Sequence, residues 1–367
     1  ALSHTLLQLT TARVLQGLGA GGIMSINAAL VRFTFPKRLL GRGMGLNAMV
    51  ISISAAIGPT VAAAILAKAS WQWLFAINVP LGLLAVAIGV RALPHTVGAA
   101  RKFDWVSALL NAVAFGFLIT GAESLVREGL ASGLSKLAVG AAAAGLLTYR
   151  ELSREAPLVP FDPLRIPIFG LSILTAVVSF AAQMMAYVGL PFYFQGAMGR
   201  SAVETGLLMT PWPLGVAVSA PIAGRLADRY RAGALGGIGL AVFAAGLGLL
   251  SVIHPGMSNL DIAWRMAVCG LGFGFFQSPN NRAMVTSAPM HRSGAAGGAL
   301  ATARLLGQTA GALTTGVFFH LAGTTAATAA LATAAGLAAL AALVSLSRLR
   351  LAPRPRPEPL DRVEPLA

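Results

Sequence analysis

Residues 45–66 read GLNAMVISISAAIGPTVAAAIL and carry no charged side chain between Arg42 and Lys68. A helix of this length rises roughly 33 Å at about 1.5 Å per residue, enough to cross a hydrocarbon core about 30 Å thick. Gly58 and Pro59 stand at a depth where a soluble helix would break, but neighbouring helices in a bilayer can satisfy the freed carbonyl. The stretch predicts a kinked membrane helix with a small-residue packing face or, more simply, an ordinary packed span that contains a proline.

The composition extends this prediction to the whole chain. Of 367 residues, 56% are hydrophobic and only 11% are charged, whereas soluble domains are about 25% charged. We expect a polytopic all-α bundle embedded in the lipid bilayer. The formal net charge of +15 does not indicate a nucleic-acid partner, because the basic residues form short clusters between apolar runs, which is a topology signal.

Apolar runs between charged or proline-rich loops give about eleven predicted spans. These are residues 5–31, 45–66, 79–93, 104–122, 137–149, 166–199, 206–224, 234–253, 261–281, 293–319 and 325–346. Roughly five times as many Lys and Arg residues fall in the loops of one side, which the positive-inside rule makes cytoplasmic. The C-terminus is then on the cytoplasmic side of the cell membrane and residue 1 is outside. We interpret a chain that begins outside, with Ala and no signal peptide, as lacking its first helices.

An arginine within the first span is the strongest candidate functional residue. A charge is expensive inside a bilayer, so Arg13 is a functional-site hypothesis by default, with a snorkelled structural arginine as the alternative. The spacing of Arg13, Gln16 and Gly17 places them on one helix face. Arg304 either lines a cavity or starts its helix near the surface, and Arg265 is predicted to anchor its helix at the interface.

Two stretches near the start of the chain resemble a known family. Residues 13–17, RVLQG, resemble the R-x-x-Q-G motif in the fourth helix of the major facilitator superfamily. In its proton-driven drug antiporters that arginine is implicated in proton coupling, so the resemblance implies this role for Arg13, Gln16 and Gly17. Residues 71–82, WQWLFAINVPLG, resemble the W-R-W-x-F-x-x-N-x-P-x-G stretch of the fourteen-helix drug:proton antiporter branch.

Residues 58–63, GPTVAA, resemble the antiporter motif of the family's fifth helix, G-P-x-x-G-G. The resemblance assigns the motif to Gly58, Pro59, Ala62 and Ala63. The two alanines stand where the family has glycines, and both are small enough for close helix packing.

Residues 224–229, GRLADR, resemble the cytoplasmic G-x-L-A-D-R motif in its second-half copy. The motif residues are Gly224, Arg225, Asp228 and Arg229. A small-residue helix end is followed by an Asp that can pair with an arginine or cap the next helix. We expect Asp228, with Arg225 and Arg229, to form a structural gate latch.

The resemblance implies that the chain is divided into four parts. Residues 1–95 would hold the remainder of the N-terminal half (the family's helices four to six), 96–165 two extra central helices and a hinge loop, 166–347 the C-terminal six-helix half, and 348–367 a disordered cytoplasmic tail. The family's first three helices are then expected to be absent from this chain.

Polar residues within or near the ends of the later spans are candidates for a substrate cavity. They are Gln183, Tyr187, Gln195, Gln277, Asn280, Arg304 and Gln308. Each could instead join helices through hydrogen bonds. The acidic residue at a deep span position, Glu123, either carries a proton or ends its helix, and we favour the helix end.

We expect no cofactor, no metal and no catalytic activity. Gly17, Gly19 and Gly22 have the spacing of a dinucleotide fingerprint but follow no strand. The five histidines show no metal-ligand spacing. The single cysteine, Cys269, excludes an intrachain disulfide and a cysteine metal cluster.

The resemblance implies a two-halved transporter with alternating access, which exports small amphipathic or cationic drugs across the cytoplasmic membrane in exchange for protons. Some family members also use a periplasmic adaptor protein. The alternatives are an importer or facilitator of another organic solute and a non-functional fragment, since absent helices would leave polar groups facing lipid. A membrane enzyme is disfavoured because no catalytic constellation is present.

Overall fold

The computed structural model describes residues 3, 5–93, 104–152 and 164–351, and every regular element among them is helical. The helices are α1 Leu6–Thr34, α2 Leu40–Leu66, α3 Trp73–Ala76, α4 Asn78–Ala92, α5 Trp105–Arg127, α6 Leu130–Leu152, α7 Pro167–Phe192, α8 Ala202–Met209, α9 Pro211–Ala227, α10 Ala232–Ser251, α11 Asn259–Ser287, α12 Ser293–Ala322 and α13 Ala326–Ser347. The predicted all-α fold class is confirmed.

Nine helical segments of the described chain are long and apolar enough to cross a membrane. Helices α11 and α12 are also long, at 29 and 30 residues, but they carry more polar side chains. Asp261, Arg265 and Arg282 lie on α11, and Arg304 lies on α12. These two helices bring the long helical segments close to the predicted number of spans.

Local sequence signals determine several helix ends. Ser201 and Glu204 form a capping box at the start of α8, and Ser258 accepts a hydrogen bond from the Asp261 amide at the start of α11. Prolines also lie inside α7, α9 and α11, where only packing against neighbouring helices makes them tolerable.

Some boundaries differ from the sequence-based prediction. Helix α6 begins at Leu130 rather than residue 137, so the polar segment before the short apolar core joins the helix. The predicted tail was expected to begin at residue 348, but Arg348–Arg350 form a 3-10 turn that continues α13, and Arg348 is only 3% exposed. Residues 352–367 and most of the predicted hinge loop, 153–163, lie outside the described residues.

The buried core lies in the C-terminal helices α7 to α13. Trp212 of α9 packs edge-on against Phe243 of α10, and Phe243 packs in the same way against Phe273 of α11, with ring centroids 5.5 and 5.3 Å apart. Phe180 of α7 joins the same cluster through Phe273 at 5.3 Å. This aromatic ladder ties four helices together through large apolar side chains.

The helices that precede α7 differ in how much they contact this core. Helix α1 packs against α12, and α2 packs along α9. Helices α5 and α6 form a close hairpin, in which Gly121, Gly133 and Gly140 let the backbones approach. Helix α4 has no buried residue.

Candidate functional site

The crossing of α2 and α9 is the closest contact between the early helices and the C-terminal core. A Cβ on Gly45 would lie 2.6 Å from the Ala220 carbonyl oxygen, and a Cβ on Gly224 would lie 3.1 Å from the Gly45 Cα. These separations leave no room for a side chain, so the two backbones touch. The close packing of α2 is therefore found near Gly45, whereas the packing face was predicted from the small residues around Gly58 and Pro59.

Asp228 closes the end of this crossing. Its Oδ1 accepts a hydrogen bond from the Gly41 amide at 2.8 Å, and its Oδ2 accepts one from the Arg42 amide at 3.3 Å. Arg282 of α11 adds an ion pair, with its Nε 3.2 Å from Asp228 Oδ1. The carboxylate thus caps the positive end of α2 and links three helices.

The partners of Asp228 differ from those expected. The predicted latch included Arg225 and Arg229, but both side chains are exposed. Among the described residues the arginine that pairs with Asp228 is Arg282. The helix that Asp228 caps is α2, which lies far earlier in the chain, rather than the helix that follows it. No local pattern identifies Arg282, because its pairing depends on how α11 ends beside α9.

The motif residues of α1 form a small exposed cluster. Arg13 donates a hydrogen bond from Nη1 to Gln16 Oε1 at 3.0 Å, so the predicted shared face exists. The Arg13 guanidinium carbon also lies 4.7 Å from the centre of the Phe75 ring on α3, which is a cation–π contact. A Cβ on Gly17 would meet nothing within 4 Å.

Gly58 and its motif partners lie on a part of α2 that contacts little among the described residues. The α2 backbone remains helical through positions 58 and 59. Gly58 is exposed, and a Cβ there would meet nothing within 4 Å. Ala62 is half-buried, while the side chains of Pro59 and Ala63 lie outside what the structure describes.

The structure does not bring the candidate cavity residues together as one site. Gln183 and Gln277 are buried, whereas Gln195 is exposed on the π-helical turn Tyr193–Ala197 that follows α7. Tyr187 packs edge-on against Trp212, with ring centroids 5.0 Å apart. These positions divide the set between the core and the surface.

Asn280 belongs to a buried polar network that the sequence did not reveal. Arg348 donates hydrogen bonds from Nη1 to Ser172 Oγ at 2.6 Å and to Asn280 Oδ1 at 2.8 Å. It also donates from Nη2 to Ser345 Oγ at 2.5 Å. This network joins α7, α11 and α13, so Asn280 makes the helix-joining hydrogen bonds that were the alternative to a cavity position. Because the sequence from residue 348 is rich in proline and arginine, it was predicted to be a disordered tail, and Arg348 was not recognised as a core residue.

Arg304 and Gln308, four residues apart on α12, have different surroundings. The Arg304 guanidinium carbon lies 5.3 Å from the centre of the Phe180 ring. Gln308 lines a mostly apolar groove with Glu123 of α5 and Met184 of α7. Glu123 lies within α5, one turn before that helix ends at Arg127.

A larger cleft lies beside this groove, where α1, the α5–α6 hairpin, α7 and α12 meet. Its volume is about 790 Å³, which is within the range of sites for drug-sized molecules. Its lining is mostly apolar, with polar groups from Asn111, Thr148 and Thr302. Such a lining suits an amphipathic organic molecule.

The chain is a multi-span helical bundle whose early and late helices meet at a glycine crossing, and a drug-sized cleft lies between α1, α5, α6, α7 and α12. This architecture is compatible with a membrane transporter. The sequence model of the Major Facilitator Superfamily matches residues 1–312. The chain belongs to that superfamily.

Three curated proteins illustrate which transporters this sequence is similar to. The chain is 52% identical over 315 residues to the uncharacterized transporter YebQ of Escherichia coli, covering 85% of this chain and 69% of YebQ. It is 29% identical over 282 residues to the lincomycin resistance protein LmrB of Listeria monocytogenes, covering 76% of this chain and 60% of LmrB. It is 28% identical over 315 residues to the riboflavin transporter RibZ of Clostridioides difficile, covering 83% and 67%.

Proposed function

We propose that the protein is a secondary transporter of the cytoplasmic membrane that exports small amphipathic or cationic compounds in exchange for protons. The observation that carries the proposal is Arg13, a guanidinium within an apolar helix, hydrogen-bonded to Gln16 at 3.0 Å. In the fourteen-helix antiporter branch that the sequence resembles, this arginine is implicated in proton coupling. Names of drug resistance among the relatives, such as LmrB, support export.

The roles of the other motif residues follow from the same proposal. The Asp228 clamp would hold α2 against α9 in one state and release it in the other, which is how rocking of two halves exposes a central site alternately. The cleft of about 790 Å³ beside Thr302 and Asn111 would receive the substrate. The cation–π contact between Arg13 and Phe75 would hold the guanidinium away from lipid until the proton-coupled conformational change occurs.

Transport in everted membrane vesicles containing the chain tests this proposal. After the vesicle lumen has been acidified, addition of a cationic dye substrate should release protons from the lumen, and Arg13→Ala should abolish that release. Arg265→Ala is the matched control, because Arg265 is also a span arginine but donates its hydrogen bond to Leu249 of the neighbouring α10. Proton movement that persists unchanged in Arg13→Ala would remove Arg13 from the mechanism.

A second candidate is transport of another organic solute without proton exchange. The similarity to a riboflavin transporter favours it. Right-side-out vesicles separate the two proposals, because an importer or facilitator would accumulate labelled solute with no opposing proton flux. Vesicles that show neither activity would support the reading of this chain as a non-functional fragment.

A further inference from the structure

A basic cavity lies at the end of the bundle where α9 ends and α10 begins, and the transport roles above use only its Asp228–Arg282 ion pair. Its volume is about 210 Å³. The residues that line it include four arginines and one aspartate. These are Arg229, Arg231, Arg282, Arg348 and Asp228. One of the arginines, Arg231, donates to the Leu349 carbonyl oxygen at 3.4 Å.

Among the described lining residues the carboxylate is Asp228, and it is already engaged by other groups. Asp228 accepts from the Gly41 and Arg42 amides and pairs with the Nε atom of Arg282. The two terminal amino groups of Arg282 have no hydrogen-bond partner among the described residues. Because clustered cations in a partly buried cavity repel one another, this arrangement favours an added anion.

The cavity wall also includes the start of a long helix. Helix α10 runs for 20 residues from Ala232, and its N-cap residue, Arg231, makes no capping hydrogen bond with its side chain. Ala232 and Gly233, the first two residues of α10, line the cavity. The amides of a first helical turn and the positive end of the helix dipole bind phosphate groups readily.

Arg348 makes the other wall rigid. Its guanidinium is buried, and its hydrogen-bond partners Ser172, Asn280 and Ser345 are all uncharged. Ser345 also donates to the Gly233 carbonyl oxygen at 3.1 Å, which ties the start of α10 to α13. The charge of Arg348 is therefore held in place before any anion arrives.

We propose that this cavity binds a phosphate-bearing anion, supplied either by the headgroup of an anionic phospholipid or by free phosphate. Arginine forks match phosphate oxygens in pairs, and basic pockets between membrane helices accommodate anionic lipid headgroups. The proposal is independent of what the protein transports. Arg282 belongs both to this cavity and to the Asp228 clamp, so the bound anion and the clamp share one guanidinium.

Native mass spectrometry of the purified chain with titrated phospholipid tests the site. We expect phosphatidylglycerol to bind more tightly than phosphatidylcholine, and the variant Arg229→Gln/Arg231→Gln to bind phosphatidylglycerol about tenfold or more weakly. The control variant Arg38→Gln/Arg350→Gln removes the same charge from exposed positions outside the cavity and should bind like the unmodified chain. Equal binding of the two lipids would exclude the phospholipid headgroup as the source, and equal loss in both variants would overturn the site.

Arginine labelling of the unmodified chain provides a measurement that does not depend on the folding of a variant. Phenylglyoxal should modify Arg229 in phosphatidylcholine nanodiscs, and the ligand should protect it while leaving Arg350 reactive. Protection by added phosphatidylglycerol alone identifies the lipid as the source, and protection by millimolar inorganic phosphate identifies free phosphate. If neither protects Arg229, the proposal is wrong.

Discussion

Helices α7 and α4 are comparably apolar but have opposite surroundings. In the most apolar stretch of the α7 segment, 56% of the residues are buried, whereas the corresponding stretch of α3 and α4 has none. Hydropathy therefore reports that a segment prefers the membrane over water, but it does not report how many protein neighbours the segment has. The C-terminal helices form a packed core, and the early helices are attached to it at a few specific contacts.

We expect the largest loss of stability in the packed region when Arg348 is replaced. The variant Arg348→Ala removes the donor to Asn280 Oδ1 and to Ser172 Oγ and leaves a cavity among buried polar atoms. We expect it to lower the free energy of unfolding by roughly 3 kcal/mol or more. Denaturation in mixed micelles, followed by tryptophan fluorescence, measures the change. Arg350→Ala removes an exposed arginine two residues away and should change stability by about 0.5 kcal/mol or less. Equal effects of the two variants would contradict a structural role for Arg348.

The contact between the two regions can be broken at one glycine. Gly45→Ala places a Cβ 2.6 Å from the Ala220 carbonyl oxygen, so we expect a loss of about 1–3 kcal/mol through overpacking. Gly58→Ala is the matched control on the same helix, because its Cβ would meet nothing within 4 Å. Thermal denaturation of both variants in detergent makes the comparison, and a larger loss for Gly58→Ala would show that α2 does not pack as described.

A smaller effect is expected from the Asp228 clamp. Asp228→Ala removes the cap of α2 and the ion pair with Arg282, which should cost about 1–2 kcal/mol. Asp228→Asn keeps an oxygen that can accept from the Gly41 amide and should recover part of this loss. Spin labels at Lys37, just before α2, and at Tyr230, just after α9, measure the distance distribution between these two helix ends. Both positions are exposed. The distribution should broaden most in the alanine variant, and an unchanged width would rule out a clamp.

The smallest expected effect concerns the α5–α6 hairpin. The hydrogen bond from Lys136 at 2.8 Å lowers the pKa of Glu128 from 4.5 to about 2. Since the folded-state pKa is depressed, the stabilisation is complete above pH 4.5 and is lost as the pH falls through the folded value. Carbon-13 NMR of the Glu128 carboxyl group measures this pKa. Lys136→Met should raise it toward the ordinary value, whereas Lys68→Met should not change it.

The fold was predictable from the sequence to the extent that its signals are local. The absence of charge in residues 45–66 predicted helix α2 because hydropathy acts residue by residue. The pairing of Arg13 with Gln16 was predictable for the same reason, since residues three apart share a helix face. The contact of Arg13 with Phe75 was not predictable, because it depends on the turn of the chain into α3.

The residues that the sequence misplaced act over long distances. Asp228 was recognised as a cap or pairing residue, but its partner Arg282 was counted only as a basic residue of a loop. Asn280 resembled a cavity residue until the structure placed Arg348 against it. In both cases the partner is set by helix packing across 54 or 68 positions of the sequence, which no motif encodes.

The α5–α6 hairpin has a consequence for how the protein is made. Its close helix contact lies within residues 104–152, and ion pairs between Lys136 and Glu128 and between Arg150 and Asp104 join its two helices or their connection. Once residues 104–152 have left the ribosome, all the side chains that form these hairpin contacts are available. At that stage α7 to α13 have not yet been synthesised. The two helices can therefore leave the translocon as a pair, and the later helices assemble beside an already formed unit.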